Sequence, residues 1–268
     1  MNLAVPPRLV ATDLDGTLLD AQGHVSPRTR EVLDALDARG VPVVFVTGRP
    51  LRWMADLWAD VGGHGLAICS NGGVVYDVAG RRVHSSSPLS RPTALDVAER
   101  IRAAVPETTF GIEFTTGWGT EPTFPRHPDD TGDAHLVGTL EEIYRDDVVK
   151  LLAVHRRHDP EEFWQASASA VGDLVTTTWS SSFALVEISA PGVTKATALA
   201  DLCAGLGVAA ADVVAFGDMP NDLPMLAWAG TSVAMENAHP SVLAAAGARA
   251  PRHDEDGVAR VLTDLFGL

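Results

Sequence analysis

In Leu9-Val10-Ala11-Thr12-Asp13-Leu14-Asp15-Gly16-Thr17, four residues suited to a buried strand run straight into two acids and a glycine. A run of this kind, Arg8 to Thr12, is too short for a helix and reads as a strand. The acids begin where that strand ends. In an open α/β sheet this is the edge where ligands bind, so position alone favours a functional role for Asp13 and Asp15 over a merely polar turn. A calcium loop counted from Asp13 fails, since Leu18 falls where a turn glycine is required and His24 where a bidentate Glu is required.

Outward from this stretch the same unit recurs. Ser26-Pro27 caps a helix whose Val32, Leu33 and Leu36 share a face and which Gly40 stops, and Val41 to Val46 follows as a second buried strand. Leu66 to Cys69 and Val213 to Phe216 read alike. Strands alternating with helices predict a parallel sheet covered on both sides, and the class is α/β. The middle has a different texture. Arg91 to Ala104 reads as a helix, and Thr109 to Phe114, Val148 to Val154, Leu174 to Trp179 and Leu185 to Ser189 read as strands. One further helix, Pro160 to Val171, separates them. That pattern predicts an antiparallel sheet with helices on one face, an α+β insert bounded by Ser-, Pro- and Gly-containing joints near Ser85 to Pro92 and Ala190 to Val193.

Composition narrows the class of function. The 268 residues carry 20 Lys plus Arg against 35 Asp plus Glu, a net charge of −15 that repels a nucleic-acid backbone. No nucleic-acid partner is expected. Two cysteines, Cys69 and Cys203, form neither a Cys-x-x-Cys pair nor a disulfide framework. Met1 to Arg8 lacks the pattern of a signal peptide, and no apolar run approaches the roughly 18 residues that span a bilayer. A cytoplasmic protein with no membrane partner is the expectation.

A second acidic segment, Gly217-Asp218-Met219-Pro220-Asn221-Asp222, also follows a strand, and Pro220 can begin a helix. If the two strand ends meet, Asp13, Asp15, Asp218 and Asp222 converge, and like charges about 4 Å apart repel by several kcal/mol at intermediate dielectric. A cation must sit among them. Hard oxygen ligands without His or Cys select Mg²⁺ over zinc. Thr47-Gly48-Arg49 ends the second strand, and Lys195 opens a helix after Gly192-Val193-Thr194. A hydroxyl and a bare glycine amide at a strand-to-helix turn, with a lysine charge, can hold phosphate oxygens, although each alone is commonly structural. Gly-x-Ser-x-Gly, Walker, Gly-x-Gly-x-x-Gly and His-Glu-x-x-His motifs are absent from the sequence.

These four segments, in this order, resemble the haloacid dehalogenase-like phosphatases. The match covers essentially the whole chain, and Ser70-Asn71-Gly72-Gly73, Asp256-Gly257-Val258 and the size of the insert make it similar to the Cof-type subfamily with a type IIB cap. The resemblance implies a Rossmann-like parallel-sheet core domain, residues 1–84 and 192–268, with an inserted α+β cap domain, residues 85–191. It implies that Asp13 is the nucleophile and forms an aspartyl-phosphate. Asp15 would act as acid and then base, its pKa raised by burial and neighbouring carboxylates. Asp13, Asp218 and the backbone carbonyl of Asp15 would hold Mg²⁺, with Asp222 as ligand or orienting partner. Thr47, Gly48, Lys195 and Asn221 would hold phosphate, and Arg49 and Asn71 would touch substrate. The implied activity is hydrolysis of a small phosphorylated metabolite such as a sugar phosphate.

Two other readings use similar residues. A sugar phosphomutase would return the phosphoryl group to a product, and a phosphate-accepting signalling module would keep it. Asp15 and the insert argue against the module, which needs neither an acid for a leaving group nor a cap.

Overall fold

The computed structural model describes residues 6–58, 65–125 and 135–268; residues 1–5, part of the N-terminal stretch considered above for a targeting signal, lie outside them. Along the chain run β1 (Leu9–Thr12), α1 (Pro27–Ala38), β2 (Val43–Val46), β3 (Leu66–Cys69), β4 (Val74–Asp77) and β5 (Arg82–Ser86). The middle holds α2 (Arg91–Ala104), β6 (Thr109–Phe114), β7 (Gly117–Thr120), β8 (His135–Val137), α3 (Leu140–Ile143), β9 (Val148–Val154), α4 (Pro160–Val171), β10 (Thr176–Thr178) and β11 (Leu185–Ser189). The chain closes with α5 (Lys195–Leu206), β12 (Val213–Gly217), α6 (Leu223–Trp228), β13 (Thr231–Met235), α7 (Pro240–Ala245), β14 (Ala248–Ala250) and α8 (Gly257–Phe266).

The described strands form two sheets. The first has the order β14-β13-β12-β1-β2-β3-β4-β5, and the second β10-β11-β9-β6-β7-β8. In the first, β1 lies between β12 and β2, parallel to both, and the parallel run extends from β14 to β3. All four residues of β1 are buried, as expected for a central strand covered on both faces. The chain turns to one side of β1 for β2 and to the other for β12, which opens a crevice at the carboxyl ends of these strands. Strands β4 and β5 add an antiparallel edge that the sequence reading lacks. Every residue of β5 is exposed, so no apolar alternation marks it, and it carries the first sheet past residue 85.

The second sheet confirms the predicted texture and adds to it. Helices α2 and α4 pack against each other and against one face, where Val97, Ile101 and Phe163 meet Phe110, Ile112, Leu151, Ala153, Val186 and Ile188. This cluster is separate from the one around the first sheet. Two helices, not one, follow α2 in this segment: α3 is a single turn closed by Glu142, whose Oε2 accepts from Thr139 N at 2.8 Å, and a single turn leaves no periodic signal. Strand β10 is shorter than expected because Gly172–Leu174 forms a helical turn.

The other face of the second sheet is polar. Glu113 pairs with Trp118 on β7 and with Lys150 on β9, while Glu187 pairs with Leu152 on β9 and with Thr178 on β10. Side chains alternate faces along a strand, so Trp118, Glu113, Lys150, Glu187 and Thr178 lie on one side. That side meets the carboxyl edge of the first sheet. Among the described residues no helix is long and apolar enough to cross a membrane, and Cys69 and Cys203 are buried and free.

Candidate active site

Three of the four segments follow β1, β2 and β12 and so sit at the carboxyl edge of the first sheet, while Lys195 reaches the same edge from the start of α5, which follows β11 of the second sheet. The backbone N–H of Asp13 donates to Phe216 O at 3.1 Å, which continues the β1–β12 ladder and sets Asp13 beside the Gly217-Asp218 corner. Gly16 turns the chain with φ +72°, and a Cβ there would lie 2.3 Å from Asp218 Oδ2. Only glycine permits this approach. Thr17 Oγ1 donates to Asp218 Oδ1 at 2.9 Å, and Asn237, just after β13, donates its Nδ2 to Gly16 O at 2.8 Å.

Asp13, Asp218 and Asp222 are buried, and one carboxylate oxygen of each falls within a 4.8 Å cluster. Lys195, the first residue of α5 and 1 % exposed, reaches Asp13 Oδ1 and Asp222 Oδ1 at 2.7 Å each. Asp222 Oδ2 accepts from the backbone N–H of Asp218 and Met219, both at 3.0 Å, which locks the corner that carries Asp218. Three carboxylates thus share one ammonium, and two negative charges stay uncompensated. The electrostatics register this: burial, opposed by Lys195, pushes the Asp13 carboxyl well above its ordinary range, and burial with the Asp222 charge pushes Asp218 up to about 7. Burial pulls Lys195 down, yet Asp13 and Asp222 carry it above its ordinary value. A hard divalent cation suits an all-oxygen set with this deficit.

Beside the carboxylates lie two interlocked turns. Thr47 is buried and its Oγ1 accepts from Arg49 N at 3.0 Å, while Asn71 N donates to Thr47 O and Ser70 N to Arg49 O, both at 3.0 Å. Ser70 and Asn71 adopt φ of +52° and +56°, a conformation that costs about 1–3 kcal/mol each and persists where surroundings impose it. Asn221 Nδ2 donates to Asn71 Oδ1 at 3.1 Å, joining the last acidic segment to this pair of turns.

Asp15 departs from expectation. Its side chain is 58 % exposed and lies outside the carboxylate cluster, held by Arg49 Nε at 2.7 Å and Nη2 at 2.5 Å. Arg49 is thus engaged by Asp15, and Asp15 lacks the burial expected of it. After the Thr47–Arg49 turn Met54 and Leu57 enter the core, Trp58 stacks on Tyr76 at 4.9 Å, and Trp53 lines a cavity of about 160 Å³ that Gly48 also lines.

That cavity runs between the sheets, and its wall holds residues the sequence reading missed. Lys150 Nζ donates to Gly48 O at 2.5 Å and to Glu187 Oε1 at 2.6 Å, Ser180 Oγ donates to Glu187 Oε2 at 2.8 Å, and Asn71 Nδ2 donates to Thr178 Oγ1 at 3.1 Å. Arg52 pairs with Glu113 at 3.4 Å and lies 4.5 Å from the Trp118 ring centroid. One signal was available: a lone lysine in Val148-Val149-Lys150-Leu151-Leu152 is a charge in an otherwise apolar strand.

The comparisons with known proteins follow this geometry. The family model for haloacid dehalogenase-like hydrolases matches residues 10–262. The 5-amino-6-(5-phospho-D-ribitylamino)uracil phosphatase YitU of Bacillus subtilis is 31 % identical over 273 residues, covering 98 % of each chain. The HMP-PP phosphatase of Serratia proteamaculans is 31 % identical, covering 88 % of this chain and 86 % of its own. A solved sugar phosphatase of subclass IIB superposes with a TM-score of 0.78 at 21 % identity, covering 97 % of this chain and 99 % of its own. The chain belongs to the haloacid dehalogenase-like hydrolases. It is a phosphatase of that family, with a parallel-sheet core, as the four motifs imply.

Proposed function

We propose that this phosphatase hydrolyses a small phosphorylated metabolite by Mg²⁺-dependent transfer of the phosphoryl group to Asp13 and then to water. The observation that carries the reading is the buried Asp13–Asp218–Asp222 cluster with its single ammonium, Lys195. Asp13, Asp218 and Asp222, with the carbonyl of Asp15, would hold Mg²⁺, which supplies the positive charge that a phosphate dianion needs to approach these acids.

Asp13 attacks phosphorus, forming the P–O bond to its carboxylate as the bond to the ester oxygen breaks. Lys195 holds Asp13 Oδ1 and so fixes the orientation of the nucleophile before substrate arrives. Thr47, Gly48, Lys195 and Asn221 bind the transferring oxygens, and positioning with charge stabilisation carries most of the rate. Asp15 protonates the leaving alkoxide and then takes a proton from the water that cleaves the aspartyl-phosphate. Its bidentate pair with Arg49 has to open first, and an incoming phosphate dianion offers the guanidinium a competing pair of acceptors.

Residues 1–84 and 192–268 are read as the core and 85–191 as the cap that covers the site from the polar face of the second sheet. A closed cleft of this size admits a metabolite and excludes a folded protein. By their names the two relatives described above act on 5-amino-6-(5-phospho-D-ribitylamino)uracil and on HMP-PP, and a phosphorylated heterocycle or sugar is the substrate class to test first. Purified protein with Mg²⁺ should release inorganic phosphate from such compounds, whereas a mutase would retain the phosphoryl group. Asp13→Asn should lose at least about a thousandfold in kcat while the protein stays folded, since it removes the nucleophilic oxygen without leaving a cavity. Turnover near wild type in that variant would sink the assignment.

A further inference from the structure

We propose that Lys150 is a positioning residue: reaching across from the second sheet, it fixes the Gly48–Arg49 peptide and, through that peptide, aims the hydroxyl of Thr47 at the phosphoryl group. This rests on the phosphate-holding role of Thr47 in the function proposed above.

The chain of contacts is short. A peptide unit is planar, so its two poles move together. The oxygen pole, Gly48 O, accepts from Lys150 Nζ at 2.5 Å, and the N–H pole, Arg49 N, donates to Thr47 Oγ1 at 3.0 Å. With Oγ1 accepting that bond, the single hydroxyl proton of Thr47 is directed elsewhere, to an acceptor in the site. A cation on the carbonyl strengthens the N–H as a donor, and hydrogen-bonded chains reinforce one another by roughly 10–30 % per bond. Lys150 therefore both orients the peptide and biases the hydroxyl.

The bland alternative is that Lys150 only neutralises Glu187. Lys150 is 1 % exposed, and Glu187 and Glu113 stand 2.6 Å and 4.0 Å from it. Burial works against ionisation of Glu187, but the Lys150 charge and hydrogen bonds hold its carboxyl below the ordinary range. A buried ion pair is commonly no better for stability than an apolar pair of the same volume, so neutralisation alone gives no reason for a lysine here. The contact that an apolar pair cannot supply is the one to Gly48 O, between the two sheets. The fit is close: a Cβ at Gly48 would lie 3.1 Å from Asn71 Oδ1 and 3.5 Å from Glu187 Oε1. Because the donor stands on the second sheet and the acceptor on the first, the hydroxyl is aimed only while the sheets are apposed.

The test uses the full-length protein with Mg²⁺, p-nitrophenyl phosphate as substrate and orthovanadate as a mimic of the transferring group. Lys150→Met should lower kcat by about tenfold to a hundredfold, the scale of a small misplacement of a positioning group, and weaken vanadate inhibition by a similar factor. KM should change by less than about threefold, since the ground-state contacts remain. Combined with Thr47→Val, Lys150→Met should cost no further kcat beyond that single change, because both act through one hydroxyl. If Lys150→Met does not fold, the neutral pair Lys150→Met/Glu187→Gln removes the orphaned charge and is held to the same criteria. A folded variant whose kcat stays within about threefold of wild type, or losses that multiply with Thr47→Val, overturns the role of Lys150. A wild-type protein that neither turns over substrate nor responds to vanadate overturns the phosphatase mechanism itself, and Lys150's role with it.

Discussion

Gly16 shows how tightly the two acidic segments fit together at the level of single residues. Its φ is positive and a Cβ would fall 2.3 Å from Asp218 Oδ2, so Gly16→Ala must either relax the turn or push Asp218 aside. The turn is also tied down by Asn237 on Gly16 O and by Thr17 on Asp218 Oδ1. Asp218 therefore yields. We expect Gly16→Ala to raise the Mg²⁺ concentration for half-maximal activity by about tenfold to a hundredfold, the usual cost of disturbing a group that orients a ligand. A magnesium titration of the variant's activity checks this, and an unchanged midpoint refutes it.

At the scale of elements, α5 places its one functional side chain against the preference of the helix itself. Lys195 is its first residue, where a cation meets the positive end of the helix dipole, so the helix gains nothing from it. The carboxylates of Asp13 and Asp222 hold it there instead. Thr194 secures the helix end, its Oγ1 accepting from Thr197 N at 3.1 Å. Thr194→Ala should cost about 1 kcal/mol, or roughly 2–4 °C in melting temperature, and kcat should fall as Lys195 loses its fixed origin. Calorimetry beside kinetics decides it: a lower melting temperature with unaltered kcat would show that the cap serves the helix alone. Strand β9 illustrates the reverse case, an element specified by apolar residues into which one lysine is set.

The whole molecule joins its ends through this site, since Thr17 and Asp218 lie 201 positions apart. Stability should accordingly depend on pH in a definite sense. Asp218 is raised from 3.8 to about 7 in the folded protein, burial first and Asp222 second, and Asp13 shifts the same way. A carboxyl raised on folding contributes most below its unfolded value, and the contribution is lost as pH rises through the folded one. Metal-free protein should therefore lose stability between about pH 4 and 7, by up to about 1.4 kcal/mol per pH unit for each such group. Acids held low by hydrogen bonds, Asp20, Asp77 and Asp254 among them, act in the opposite sense and below this window. If Mg²⁺ occupies the proposed site, it binds the ionised cluster and stabilises by mass action, so its gain in melting temperature should be larger at pH 8 than at pH 5. Equal gains at both would remove the cluster as the metal site.

Sequence alone determined the parallel strands β1, β2, β3 and β12, the two acidic segments at strand ends and the separate texture of the middle, because each is written in local periodicity or in a motif of adjacent residues, while β13 and β14, also parallel, went unread. β6, β9, β11, α2 and α4 could be bounded from the same signals. Strands β5 and β8 could not: β5 is wholly exposed, and β8 is three residues long. Tertiary structure alone decided that Asp15 is exposed and paired with Arg49, that Lys195 bridges Asp13 and Asp222, and that Glu113, Lys150 and Glu187 face the Thr47–Arg49 turn. The reason is physical. Strand alternation says which residues share a face, but what that face meets depends on how two sheets formed from distant parts of the chain come together.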